Sequence, residues 1–122
     1  MSKPLMTATG LIDHAKSVFA KCATVMEKKN ADYSASDNNA FRNFEAVEQF
    51  GIVDTKSGMM VRLTDKFTRI CNLLKKDADA VEESLQDSIE DAINYLVILH
   101  ARLEGEKKAK RDIPGSKGEG GR

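Results

Sequence analysis

The segment ESLQDSIEDAINYLVILH, Glu83–His100, decides the fold class of this chain. Four of its polar residues recur at spacings of four, four and three, which places them on one stripe of an α-helix. They are Glu83, Asp87, Asp91 and Asn94. Like charges four residues apart repel one another. A divalent cation such as Mg²⁺ would offset that repulsion, and a solvated polar face is the alternative explanation of the same stripe.

The residues that follow the stripe, YLVIL from Tyr95 to Leu99, are apolar on nearly every side of the helix. A helix that is apolar all round is covered all round. Because a small helical domain cannot easily provide that cover alone, we expect a second copy of the chain to pack there, giving a homodimer or homotetramer. The acidic stripe would then face a cleft between helices.

Three further segments place apolar residues at the helical spacings of three and four. They cover roughly residues 11–29, 39–50 and 59–76. Thr9 is the expected N-cap of the first helix, Gly51 the stop of the second, and a loop from Ile52 to Gly58 precedes the third. Asp79 and Glu82 resemble a capping box that starts the fourth helix. No convincing alternation of period two is present, so the sequence predicts an all-α fold, a four-helix bundle.

The apolar positions of the third and fourth helices are the predicted core. In the third helix they are Met60, Leu63, Phe67, Ile70, Cys71 and Leu74. In the fourth they are Leu85, Ile89, Ala92, Ile93, Leu96, Leu99 and Leu103. The two cysteines, Cys22 and Cys71, both fall on apolar stripes, which predicts buried and reduced thiols.

Composition limits the class of protein. With 122 residues and 41% hydrophobic residues, one domain with a modest core is expected at residues 1–104. Lys plus Arg and Asp plus Glu number 19 each, which argues against stable nucleic-acid binding. No apolar run approaches the roughly 18 residues of a membrane span, and no leader pattern is visible in MSKPLMTATG. We therefore expect a cytoplasmic protein that does not bind membranes.

The composition changes at Gly105. From there EKKAKRDIPGSKGEGGR is rich in Gly and charge, with almost no apolar residue. Such a segment cannot bury enough apolar surface to fold, so residues 105–122 are predicted to be a disordered tail.

The third helix carries polar residues at spacings that parallel those of the fourth. Arg62, Asp65, Arg69 and Asn72 lie three, four and three residues apart. An Asp65–Arg69 surface salt bridge is one interpretation. In the other, Asp65 adds a carboxylate to a metal site, while Lys66 or Arg69 neutralises a phosphate.

A polar, turn-rich stretch, KKNADYSASDNNAFRNFE from Lys28 to Glu45, follows the first helix. Loops at helix ends commonly carry ligand contacts. The residues with suitable chemistry are Asn30, Asp32, Tyr33, Phe41 and Asn43, of which the aromatic pair can equally anchor the loop to the core. An ExxE at Glu45 and Glu48 can chelate Mg²⁺ but is common by chance in charged helices.

Taken together, the segments KNADY, FRNF, MMVRLTDKFTRI and DSIEDAINY resemble small phage and bacterial members of the MazG-like, all-α nucleoside triphosphate pyrophosphohydrolases, a superfamily that includes the dimeric dUTPases. The resemblance spans about residues 13–103. Its most specific parts are Asp65-Lys66 with Arg69, and Asp87-Ser88-x-x-Asp91 followed by Tyr95.

The resemblance implies a helical oligomer that uses Mg²⁺, or Mn²⁺, to cleave a (d)NTP between its α- and β-phosphates, in a bacterial or phage-infected cytoplasm. Metal ligands would be Asp87, Asp91 and Glu83, with Glu83 and Asp65 in catalytic roles. Substrate contacts would come from Lys66, Arg69, Asn30, Asp32, Tyr33 and Asn94. The superfamily's ExxD is absent, and the acids of the last helix are spaced by four. The alternative is therefore a non-catalytic nucleotide-binding module.

Overall fold

The computed structural model describes residues 2–33, 38–76 and 82–112, with the side chains of residues 30–33, 82 and 83 outside the description. Four helices occupy these ranges, and no strand is found in them. They are α1 (Ala8–Tyr33), α2 (Arg42–Gln49), α3 (Thr55–Leu74) and α4 (Glu82–Asp112). The all-α class is thus confirmed. The chain divides into two compact units, Met1–Ala40 with α1 and Phe41–Arg122 with the other three helices.

Helix α1 begins earlier and ends later than its apolar pattern predicts. The Thr7 hydroxyl accepts a hydrogen bond from the Gly10 N–H at 3.0 Å and so caps the first turn. The prediction that Thr9 is the N-cap is wrong, since Thr9 lies inside the helix. Helical backbone continues past Lys29 to Tyr33, because Asn and Asp at this point do not outweigh a helix already formed.

Helix α2 ends as predicted at Gly51. Gly51 adopts a φ of +77°, the left-handed conformation that glycine enters without strain. Its N–H donates to the Glu48 carbonyl at 2.9 Å, and the Ile52 N–H donates to the Val47 carbonyl at 2.9 Å. These two bonds form a Schellman motif, which satisfies carbonyls at the helix end.

Helix α3 begins at Thr55, inside the segment predicted to be a loop. Asp54 is its N-cap, and its carboxylate accepts from the Ser57 N–H at 2.7 Å. Hydrogen bonds from the backbone N–H and the side chain of Ser57 lower the pKa of the Asp54 carboxyl below its ordinary value. The Glu48 carboxylate accepts from the Thr55 N–H at 2.8 Å and from the Thr55 hydroxyl at 3.0 Å. Several free N–H groups of the first turn are thereby satisfied, so the helix starts here.

Helices α3 and α4 pack side by side and run antiparallel. Residues later in α3 contact residues earlier in α4. The contacts are Lys56 with Glu106, Lys66 with Asp91, and Arg69 with Ser88. The buried apolar residues of this unit are Phe44, Met59, Leu63, Leu73 and Ala92. Small and mid-sized side chains at the contact allow close helix packing.

Helix α2 packs against α3 through Gly58. A Cβ at this position would lie 2.6 Å from a Val47 methyl carbon, closer than non-bonded carbons approach. Phe44 reaches α4, where its ring meets the Tyr95 ring edge-on with centroids 6.0 Å apart. The Arg62 guanidinium lies 4.7 Å from the centre of the Phe44 ring and donates to the Asn43 carbonyl.

The predicted core is correct only in part on both long helices. Met60, Phe67, Cys71 and Leu74 of α3 are exposed, as are Ile89, Leu96 and Leu103 of α4. Leu63 of α3 and Ala92 of α4 are buried as predicted, and the other buried positions are Met59 and Leu73 on α3 and Ser88 and Asn94 on α4. Cys22 is buried as predicted, whereas Cys71 is exposed. The physical reason is that both helices have more apolar residues than one face holds.

Helix α4 continues eight residues past the predicted boundary at residue 104, so the prediction of a disordered segment from 105 is wrong as far as Asp112. Gly105 costs helix stability of about 1 kcal/mol relative to Ala. The adjacent Glu106 accepts hydrogen bonds from Arg102 at 2.9 Å and Lys56 at 2.7 Å, which hold this turn in place. Lys110 and Arg111 lie in the last turn, where a positive charge interacts favourably with the negative end of the helix dipole. Residues 113–122 lie outside the description.

Candidate functional site

The centre of the candidate site is an ion pair between two residues that the sequence singled out separately. Lys66 Nζ of α3 lies 3.0 Å from Asp91 Oδ2 of α4. Their side chains are 28% and 21% exposed, so the pair is largely shielded but remains accessible to a ligand. In this setting two opposite charges attract more strongly than on an open surface.

A second cross-helix contact lies one turn away. The Arg69 Nε–H donates to the Ser88 hydroxyl at 3.1 Å, and that hydroxyl donates to the Ser84 carbonyl at 2.9 Å. Ser88 is 3% exposed. Its contact uses one nitrogen of Arg69 and fixes the guanidinium beside the Lys66–Asp91 pair, with further N–H donors remaining on the terminal nitrogens.

The remaining polar residues follow from helical geometry. Counted at 100° per residue from the Lys66–Asp91 contact, Asp65 and Arg69 of α3 turn to the same side of the helix pair as Asp87 of α4. Asp65 and Asp87 are exposed, and neither forms an ion pair with another residue of the described ranges. We call this set, Asp65, Lys66, Arg69, Asp87 and Asp91, the polar strip.

Asn94 belongs to the same side of α4 but is only 7% exposed. No buried side-chain nitrogen or oxygen of the described residues lacks a hydrogen-bond partner. Asn94 is thus engaged inside the protein, and a direct contact with substrate would require its existing partner to be exchanged.

Four predicted site residues cannot be placed by their side chains. Glu83 lies on α4 one turn before Asp87, and its side chain is outside the description. Asn30, Asp32 and Tyr33 were expected in a loop, but their backbone forms the last turn of α1. Their side chains are likewise outside the described part of the chain.

The donor chemistry of the polar strip suits Mg²⁺. Among the described residues no group of three His, Cys, Asp or Glu side chains is close enough to hold a metal. Mg²⁺ is commonly held by one or two carboxylates while phosphate and water complete its shell. Asp87 and Asp91, neighbours at i and i+4 on α4, provide two such carboxylates.

A second charged cluster joins all three helices of the unit, and we call it the clamp. It contains Glu45 of α2, Lys56 of α3, and Arg102 and Glu106 of α4. Arg102 donates to Glu45 at 2.6 Å and to Glu106 at 2.9 Å. These bonds raise the pKa of Arg102 above its ordinary value, and those from Lys56 and Arg102 lower the pKa of Glu106.

The clamp and the α3 cap account for the ExxE pattern. Glu45 binds Arg102, and Glu48 binds the first residue of α3. Both carboxylates therefore hold helices together in this structure, as does Phe41, whose ring centre lies 5.2 Å from the Arg102 guanidinium carbon. Phe41 acts as an anchor here.

Comparison with known proteins yields no family: no family model, curated protein or solved structure matches the chain. No helix of the described ranges combines the length and apolar character that crossing a membrane requires. The polar strip is therefore interpreted from its own chemistry.

Sequence reasoning missed two contributors. The role of Ser88 was missed because a serine in a helix interior commonly bonds the carbonyl four residues earlier, so its sequence position did not indicate the contact with Arg69. Arg102 went unnoticed, because its partner Glu45 is brought to it only by the packing of α2 and α4. Its other partner, Glu106, is four residues along α4 but lies in the segment predicted to be disordered.

Proposed function

We propose that the protein is a Mg²⁺-dependent nucleoside triphosphate pyrophosphohydrolase, releasing a nucleoside monophosphate and pyrophosphate from a (d)NTP. The observation that carries this proposal is the Lys66–Asp91 contact, with Arg69 fixed beside it by Ser88. Cations and carboxylates lie together on one side of two rigid helices, which is the arrangement that phosphoryl chemistry requires. The resemblance to the MazG-like superfamily supports the same reaction.

The residues of the polar strip have separate roles in phosphate binding, cation binding and water activation. Lys66 and the terminal nitrogens of Arg69 bind phosphate oxygens, where a guanidinium offers two parallel donors. On substrate binding Lys66 exchanges Asp91 for a phosphate, which releases that carboxylate toward a cation. Asp65 orients the attacking water and accepts its proton. Glu83, one turn before Asp87 on α4, is the further carboxylate that the resemblance implies.

Mg²⁺ bound at Asp87 and Asp91 would neutralise phosphate charge and polarise the bond that breaks. The protein's part is to bring the triphosphate into line with the water. Because the strip lies on helices rather than loops, its backbone is already in place, and the exchange of Lys66 from Asp91 to phosphate is the side-chain change that binding needs.

The test is pyrophosphate release from a panel of common and modified (d)NTPs with Mg²⁺, Mn²⁺ or EDTA. We expect turnover with metal, and a loss of at least about 100-fold in kcat for Asp91→Asn and Asp87→Asn, because each removes a negative charge from the metal site. Glu104→Gln also replaces a carboxylate by an amide, at an exposed position of α4. It is the matched control, and we expect it to keep full activity.

Turnover that survives both aspartate variants would place the chemistry elsewhere. No turnover of any nucleotide by the wild type would overturn the proposal.

The Lys66–Asp91 ion pair also favours a second candidate, a nucleotide-binding module without hydrolysis. With Asp91 neutralised by Lys66, the strip binds a triphosphate through Lys66 and Arg69 alone. This candidate predicts that nucleotides raise the melting temperature without pyrophosphate release, and that EDTA leaves the shift unchanged.

A further inference from the structure

Three large apolar side chains are exposed at the turn between α2 and α3. Phe50 is 80% exposed, Ile52 69% and Val53 38%. The backbone of this turn is fixed, because Gly51 adopts the left-handed conformation and the Ile52 N–H donates to the Val47 carbonyl. Single exposed apolar residues need no explanation, but a group of them on a fixed backbone marks a surface that binds a protein or a membrane.

Four exposed cations lie at the same end of the α2–α4 unit. The contact of Lys56 with Glu106 places Glu106 beside the first turn of α3, where the α2–α3 turn also ends. Residues 107–112 therefore extend α4 by about 9 Å beyond the start of α3. This extension contains one carboxylate, Asp112, and four exposed cations, which are Lys107, Lys108, Lys110 and Arg111. We call these four cations and the three apolar residues of the turn the tip.

The tip concentrates positive charge on a chain whose formal net charge is zero. Two carboxylates at this end of the unit already have partners, since Glu106 binds Lys56 and Arg102, and Asp54 caps α3. An anionic bilayer attracts each Lys or Arg near its surface and accepts apolar side chains at the boundary between headgroups and acyl chains. The tip is complementary to such a surface in both respects.

The shape of the tip favours a lipid surface over a protein partner. Phe50 and Ile52 project from a turn, and side chains this exposed make few contacts with their own protein. A fluid bilayer accepts projecting side chains without a cavity of matching shape, whereas a protein partner must provide one.

We propose that the tip docks on an anionic membrane surface. Phe50 and Ile52 insert at the level of the headgroups, and the four cations bind the anionic lipids around them. Contact of this kind needs no spanning segment, which is the feature whose absence led us to expect no membrane binding from the sequence.

The first test measures binding of the full chain to vesicles by co-sedimentation. We expect a partition coefficient at least about tenfold larger for phosphatidylcholine vesicles that contain phosphatidylglycerol than for phosphatidylcholine alone, and a decrease as salt is raised. Lys107→Gln/Lys108→Gln should lower binding to the anionic vesicles at least about fivefold. Lys75→Gln/Lys76→Gln, a neighbouring pair of exposed lysines at the opposite end of α3, is the matched control and should bind as the wild type does.

The second test reports insertion directly, because the chain contains no tryptophan. The emission of Phe50→Trp should move to shorter wavelength on anionic vesicles and be quenched by brominated acyl chains, as the indole leaves water. Leu74→Trp is the control, at a 65% exposed position at the other end of α3, and its emission should not change. Phe50→Ser should lower the partition coefficient at least about tenfold, because it removes the largest apolar side chain of the tip.

A wild type that binds neither kind of vesicle would overturn the proposal and leave a protein as the partner of the tip. Equal binding to neutral and anionic vesicles would also overturn it, as would equal emission shifts for Phe50→Trp and Leu74→Trp. Lys66 of the polar strip lies about 15 Å along α3 from Lys56, and vesicle binding is measured without nucleotide. Membrane docking and nucleotide hydrolysis can therefore fail independently.

Discussion

The polar strip and the clamp are built from the same residue types and both connect α3 with α4, yet they differ in how completely their charges are paired. In the clamp, Arg102 binds two carboxylates and Glu106 binds two cations. In the polar strip, Lys66 and Asp91 pair, while Asp65 and Asp87 form no ion pair within the described ranges.

The difference shows what separates a structural cluster from a candidate site. Charges that are fully paired across helices fix the packing and offer nothing to a ligand. Charges left unpaired at one edge of a contact cost some repulsion and are available to a phosphate or a cation. The comparison predicts that the two clusters respond oppositely to mutation, the clamp in stability and the polar strip in nucleotide handling.

The largest effect is expected from Arg102→Met in the clamp. The change leaves Glu45 without its 2.6 Å partner and removes the cation above Phe41. We expect the free energy of unfolding to fall by about 2 kcal/mol in urea denaturation, with pyrophosphate release at 25 °C altered less than about twofold.

Lys108→Met, which removes an exposed cation from the same helix, is the matched control and should leave stability unchanged. If Arg102→Met is as stable as that control, or if the folded variant loses activity, the clamp is not a purely structural cluster.

A smaller effect, on activity rather than on stability, is expected from Ser88→Ala, which removes the partner of Arg69 in the polar strip. Removing the hydroxyl frees Arg69 from its 3.1 Å contact, so the guanidinium samples other orientations. We expect kcat for pyrophosphate release, or nucleotide affinity if hydrolysis is absent, to fall about tenfold, with KM less affected.

Ser84→Ala, one turn earlier, keeps the backbone carbonyl that Ser88 uses and serves as the control. Equal activity of the two alanine variants would mean that Ser88 does not position Arg69. A Ser88→Ala protein that loses stability and affinity in the same proportion would point to packing instead.

The helices were predictable from sequence, but their ends were less so. Periodicity located α3 and α4, and Gly51 predicted the end of α2 correctly. The start of α3 was missed although Asp54 and Ser57 form a capping pattern, because the apolar rhythm begins only at Met59. The extension of α4 past Gly105 depends on Lys56, which is distant in sequence. Helix propensity is a local property of the sequence and does not account for a stabilising contact with a distant residue.

The phase of the core and the pairing within the site were harder to predict. On α3, both Met59 and Met60 begin an apolar series, and which one faces α4 is decided by packing. Asp91 and Lys66 were both chosen as site residues, but their contact depends on the register of two antiparallel helices. The sequence alone does not show which residue of α4 lies opposite a given residue of α3, so this register was not predictable. The prediction of oligomers stays a prediction.

The smallest expected effect is a pH dependence of thermal stability that comes from Glu106 in the clamp. Hydrogen bonds from Lys56 and Arg102 hold the pKa of Glu106 below its ordinary value, so the folded protein releases this proton more readily than the unfolded chain. The stabilising contribution is then fully present above the ordinary carboxyl pKa and is lost as pH falls through the lowered one. We expect the melting temperatures of wild type and Glu106→Gln to differ at pH 7 and to converge as the pH falls through the lowered pKa of Glu106. Glu104→Gln, two residues earlier and exposed, should follow the wild type at every pH. A difference that persists in acid would mean that Glu106 stabilises α4 through packing, and the charge argument that separates the clamp from the polar strip would then fail at this residue.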